Sequence, residues 1–255
     1  MSSIRNEVGV DALILLIILI AAICVAFLGF IFGYAVNSSS ETLDSVNIVS
    51  PIATLLAAFA GSWYAFKLHH EKSKREKAAS DVNAGNDAIF ELIRWLNKLL
   101  NYKKQFLDEH RINSARHLLI LPAAGLIYGN PKFDYTSLSF LFKSKDPNIL
   151  GLLSDIEQQI ISALDLIQQR SQIHVNIVQP AVEEVEKRIG VGSTFSTFDV
   201  EKEIGNRYVE VIKKLTNFTY ITVDDGIERI NKLIPHLKEQ IEFLYPGHVV
   251  IGVKG

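Results

Sequence analysis

The sequence predicts an all-α protein, with two transmembrane helices followed by a cytoplasmic antiparallel helical bundle with long helices. Three observations predict it. Residues Ala12 to Val36 are 25 consecutive positions without a charge, and a second uncharged run goes from Val46 to Phe66. Beyond them, apolar residues recur at spacings of three and four, the period of a helix face, and nothing alternates as a strand would. The expected organisation is a membrane anchor over residues 1–68 and a helical bundle over residues 69–255.

Composition narrows the classes. The chain is 48% hydrophobic with a mean hydropathy of +0.19, and the apolar excess sits in its first quarter. A formal net charge of −2 offers no basic field, so no nucleic-acid partner is expected. Cys24 is the only cysteine, which excludes an intrachain disulfide and a cysteine-based zinc site.

A helix over residues 12–36 is longer than the hydrocarbon core, at about 1.5 Å per residue against about 30 Å, and spans with some tilt. A cleaved signal peptide would carry a much shorter apolar core. The second helix starts near Ser45 with a mild kink at Pro51, and its far end gathers Trp63, Tyr64 and Phe66, rings suited to the membrane interface; Tyr34 plays that part on the first span. The loop Asn37 to Ser45 carries only Glu41 and Asp44. Lys67, Lys72, Lys74, Arg75 and Lys77 follow the second span, so this basic cluster should stay in the cytoplasm at the membrane surface. The chain is therefore expected to be multi-pass, with both termini cytoplasmic. Ala53, Ala57, Gly61 and Ala65 share one face of the second span, and Gly29 and Gly33 form a GxxxG pair on the first. Such small residues let helices pack closely, within one chain as a hairpin or between subunits of a homo-oligomer.

After Phe66 the second span is expected to run on as a helix, with Ile89, Ile93, Leu96 and Leu100 on its apolar face. Residues 111–146 break up around Pro122, Gly125, Gly129 and Pro131, a loop with one or two short helices. Asp146-Pro147 reads as N-cap and first turn of a long helix with Ile149, Leu153, Ile156, Ile160, Ala163 and Ile167 on one face. Pro180 should kink or end it, and residues 190–194 form a hinge. Asp199 caps the next helix, whose stripe is Val200, Ile204, Tyr208, Val211, Leu215 and Phe218. The last helix carries Ile227, Ile230, Ile234, Leu237, Ile241 and Leu244 at coiled-coil spacing, until Pro246-Gly247; the tail 249–253 forms a strand or packs on the bundle.

The two N-terminal spans, the GSWYAFKLHHEKSKREK passage at the membrane exit and the RWLNKLLNYKKQ helix resemble a group of uncharacterised bacterial inner-membrane proteins. The resemblance implies a bacterial inner membrane and carries over no functional residue.

Chemistry-bearing motifs are sparse. HEPN-type ribonucleases are helical bundles that use an Arg and a His separated by four to six intervening residues, the Arg holding phosphate and the His moving a proton. Arg111 with His117 and Arg229 with His236 have that spacing, but nine arginines and seven histidines make such matches expected by chance. His69 and His70 are adjacent, which on a helix points them about 100° apart, a poor chelate. Arg170 and His174 lie one turn apart and are expected at the edge of the long helix's stripe, the alternative being a polar layer inside it. No catalytic, metal or cofactor-binding residue is assigned. The reading is a non-enzymatic, membrane-anchored interaction or sensor module, whose partners are the lipid bilayer, further copies of itself, and an unidentified cytoplasmic protein or ligand. The alternatives are an oligomerising membrane-perturbing effector of a bacterial defence or cell-suicide system, and a HEPN-like ribonuclease.

Overall fold

The computed structural model describes residues 44–123, 129, 131–190, 194 and 196–252, with side chains from residue 54 onward. The first expected span, with Cys24, Gly29, Gly33 and Tyr34, lies outside the described residues, as do residues 37–43 of the loop and the side chain of Ala53. The described residues form helices and turns with no strand among them. Two compact units divide the chain, Met1–Lys74 and Arg75–Gly255.

Helix α1 runs from Asp44 to Tyr102 without a break, through Pro51, Gly61 and Gly85. Its early part, in the first unit, is apolar yet exposed: Leu55, Phe59, Tyr64 and Phe66 are 71%, 59%, 65% and 66% accessible. Among the described residues no helix is long and apolar enough to cross a membrane.

In the second unit α1 becomes amphipathic. Ile89, Leu92, Trp95 and Leu99 are fully buried, whereas Leu100, expected on that face, is 40% exposed. The buried face runs through Ile89, Leu92, Leu96 and Leu99, and Leu100, about 100° on from Leu99, turns off it. Gly85 sits inside the helix because Ile241 packs onto it.

The segment after α1 contains a π turn (Lys103–Leu107), a 3-10 turn (Asp108–His110), the short helix α2 (Arg116–Leu119) and a further 3-10 stretch (Ser137–Lys143). Helix α3, Ile149–Ile173, buries the whole expected stripe from Ile149 to Ile167. It starts two residues later than the Asp146-Pro147 pair suggests. Asp146 instead accepts from the Asn148 amide at 2.9 Å and pairs with His236. Pro180 does not end the helical run. A π turn over His174–Val178 leads into α4, Gln179–Ile189, where the proline occupies the first turn.

Helix α4 ends at Gly190, with φ +105°; residues 191–193 and 195 of the expected hinge region lie outside the described residues. Helix α5, Thr197–Ile204, is capped by Ser196 rather than Asp199; Asp199 is the other half of a capping box, its carboxylate accepting from the Ser196 amide. Gly205, at φ +83°, then separates α5 from α6, Asn206–Leu244. That break resets the helical phase. Tyr208, Val211 and Phe218, expected in the core, are 47%, 39% and 55% exposed, and Val209, Ile212, Thr216, Thr219 and Tyr220 are buried instead. The later stripe from Ile227 to Ile241 is buried as expected, with Pro235 accommodated inside the helix. The tail packs on α1: the Asn86 side chain donates to the Val249 carbonyl and accepts from the Ile251 amide.

Helices α3 and α6 share the most extensive contact among the described elements. The main core spans α1, α3 and the C-terminal two thirds of α6. A smaller cluster of Val178, Ala181, Val185, Val200, Ile204, Val209 and Ile212 joins α4, α5 and the start of α6.

Candidate functional site

The two apolar clusters are separated by polar groups. Along α3 the main core ends at Ile167 and the smaller cluster begins at Val178; Arg170 and His174 lie between. Along α6 the smaller cluster ends at Ile212 and the main core resumes at Tyr220, with Thr216 and Thr219 between. All four are buried, Arg170 completely. The edge placement expected for Arg170 and His174 is therefore corrected. They form an internal layer, because the chain supplies acceptors there that the helix pattern alone does not reveal.

Those acceptors come from the end of α2. Arg170 donates through Nη2 to the Ile120 carbonyl, through Nη1 to the Leu121 carbonyl at 3.4 Å, and through Nε to Thr216 Oγ1 at 3.3 Å. Among the described residues no carboxylate acts on it, only the Tyr102 and Tyr220 hydroxyls. Burial draws its pKa down to about 10, partly offset by Tyr102 and Tyr220; guanidinium remains charged even so. Burial likewise pushes the Tyr102 hydroxyl up to about 12. His174 is held down to about 4, by burial first and the Arg170 charge second, so it is neutral near pH 7. Its Nδ1 has no hydrogen-bond partner among the described residues.

Beside this layer the surface is charged. Tyr220 donates to the Leu107 carbonyl at 2.7 Å, and the Arg111 and Arg116 guanidinium groups lie over its ring at 5.1 and 4.9 Å. Arg111 makes a two-pronged pair with Asp224 at 2.9 and 3.1 Å, and Lys103 reaches the same carboxylate at 2.8 Å. Burial alone would raise Asp224; the two cations hold it below the usual carboxylate range. Arg116 instead donates to the Arg111 carbonyl at 2.7 Å and to Asn217 Oδ1 at 2.8 Å. His117, 2% exposed, donates through Nε2 to Glu201 at 2.9 Å, and Lys213 pairs with the same carboxylate at 3.0 Å. Burial and then Lys213 lower the His117 pKa against the pull of Glu201, so the imidazole is neutral at pH 7.

The Arg–His spacings resolve differently. Arg111 and His117 turn to different carboxylates, Asp224 and Glu201, and do not converge on one partner. Arg229 and His236 line one cavity of about 370 Å³ between α3 and α6, but Arg229 pairs with Asp225 at 3.0 Å and His236 with Asp146 at 2.9 Å. In the first unit, Ala57, Gly61 and Ala65 are exposed, and a methyl group built on Gly61 would meet no atom within 4 Å. The basic residues Lys67, Lys72, Lys74, Arg75 and Lys77 are all exposed on α1, and the Phe66 and His70 rings stack at 6.3 Å.

What the sequence reading missed is the grouping of Arg116, His117, Lys213 and Asn217. The last two are 96 and 100 residues from His117 in the chain, and only the docking of α2 on α6 brings them together. No protein-family model matches the chain, and neither a curated protein nor a solved structure matches it.

Proposed function

We propose that the chain is a membrane-anchored interaction or sensor module, its helical bundle facing the cytoplasm and two N-terminal helices holding it in the inner membrane. The observation that carries this reading is the exposed apolar segment of α1, Thr54 to Phe66, on the same unbroken helix that supplies Leu92, Trp95 and Leu99 to the bundle core. A helix that is apolar on every side and not covered by protein is suited to lipid. The uncharged run Ala12 to Val36 and the basic cluster from Lys67 to Lys77 support two spans with cytoplasmic ends. A binding role is favoured over a catalytic one because the titratable groups are engaged structurally: Arg170 by carbonyls, Arg111 by Asp224, His117 by Glu201.

Alkaline carbonate extraction of membranes tests the anchor. The full chain should remain in the pellet and float with lipid in a density gradient. A phosphatase that works only outside the cytoplasm should be active when inserted in residues 37–45 and silent when fused after Gly255. Release by carbonate, or the reverse fusion pattern, would refute the reading.

One observation favours a second reading, the oligomerising membrane-perturbing effector: the small-residue face at Ala57, Gly61 and Ala65 is exposed, with open space at Gly61. If that face joins subunits, Ala57→Leu with Gly61→Leu should reduce the mass measured by light scattering in detergent and abolish dye leakage from reconstituted vesicles.

A further inference from the structure

We infer that the cavity between α2 and the start of α6 is a binding site for a phosphoryl group of a small phosphate monoester. The cavity holds about 360 Å³ and is lined by Asn113, Ser114, Arg116, His117, Lys213 and Asn217, with the 99% exposed Ile112 at its rim. Two cations face it and no carboxylate lines it. That volume lies in the range of small-molecule sites, about 300–1,000 Å³, and exceeds what a bare ion needs. The polar lining demands a polar, anionic occupant.

The donor inventory selects the anion. Arg116 has no carboxylate partner among the described residues; it donates to a carbonyl and a carboxamide oxygen, and the rest of its five N–H groups remain for an anion. The Asn113 side-chain oxygen accepts from the Ala115 amide at 2.8 Å, and the Asn217 oxygen accepts from Arg116, so each carboxamide has its NH₂ left to donate. With the Ser114 hydroxyl and the Lys213 ammonium, the set offers more donors than the two oxygens of a carboxylate take. It matches a group with three terminal oxygens and a charge near −2. Glu201, already shared by His117 and Lys213, is the internal competitor: the incoming phosphoryl group draws Lys213 away from it.

This inference rests on the bundle being a binding module and is independent of the membrane anchor, so it is measured in detergent, where carbonate extraction and flotation play no part. The full chain in nonionic detergent is titrated by calorimetry with inorganic phosphate, glycerol 3-phosphate and a short-chain phosphatidic acid. The expected result is saturable binding of at least one probe; tighter binding of glycerol 3-phosphate identifies a soluble ligand, and of phosphatidic acid a lipid headgroup. Lys213→Gln and Arg116→Lys should each weaken binding by about tenfold or more, whereas Glu201→Gln should strengthen it. Lys213 is part-exposed, so its variant keeps the fold, checked by unchanged circular dichroism. No saturable binding of any probe, or an affinity unchanged in Lys213→Gln, would overturn the site.

Discussion

Gly85 and Ile241 make a test of how closely α1 and α6 approach. A Cβ added at Gly85 would lie 2.5 Å from Ile241 Cδ1 and 3.1 Å from Cγ1, and Ile241 is fully buried. Two effects oppose each other in Gly85→Ala. Replacing glycine inside a helix gains about 0.5–1 kcal/mol of backbone entropy. Overpacking a close-packed core costs about 1–3 kcal/mol, and Ile241 has no solvent to swing into. The clash wins, and the variant should be destabilised by about 1–2 kcal/mol. Ile241→Val alone removes the Cδ1 atom and costs about 0.5–1.5 kcal/mol. Together the changes compensate, because the alanine methyl enters the space that Cδ1 leaves. The double variant should therefore be close to the parent, a coupling of about 2 kcal/mol where independent sites would add. Urea unfolding of the full chain in detergent, followed by the emission of buried Trp95 in a Trp63→Phe background, reads each corner of the cycle. Additivity within about 0.5 kcal/mol would refute the contact.

Arg170→Ala leaves the Ile120 carbonyl and the Thr216 hydroxyl without their donor and opens a void, so stability should fall by about 2–4 kcal/mol; an unchanged urea midpoint would refute the internal layer. The His174 pKa is lowered in the fold, so the folded chain binds fewer protons than the unfolded chain between the ordinary 6.5 and about 4. The stability it contributes is complete above pH 6.5 and is lost as pH falls toward 4, and His174→Leu should flatten that part of a stability–pH profile. A slope identical to the parent's would remove His174 as its source. Arg229→Ala and His236→Ala should leave any cellular phenotype intact and produce no change in the products of labelled RNA incubated with the protein, since their spacing is read as chance. Loss of cleavage or of toxicity in either would move the nuclease reading to the front.

Some of this molecule was legible from local pattern. The stripe from Ile149 to Ile167 and that from Ile227 to Ile241 are buried because a helix repeats every 3.6 residues whatever it packs against. The same logic failed on α6 before Tyr220. Gly205 adopts a positive φ that breaks the helix, so the stripe of Val200 and Ile204 does not continue in phase to Tyr208, Val211 and Phe218. The capping residue was missed for a related reason: Ser196 and Asp199 both suit a cap, and which one takes the N-cap place depends on where the first helical turn closes.

By itself, then, the sequence determined the helical class, two of the buried stripes and the concentration of uncharged residues at the N terminus, all properties of neighbours within a few turns of chain. The burial of Arg170 was decided elsewhere, by carbonyls at Ile120 and Leu121 about 50 residues away that offset the cost of removing a guanidinium from water. The cavity of Arg116, Asn113, Lys213 and Asn217 has the same origin. Its members carry no spacing in common, and only the packing of α2 against α6 sets their charges and donors around one volume.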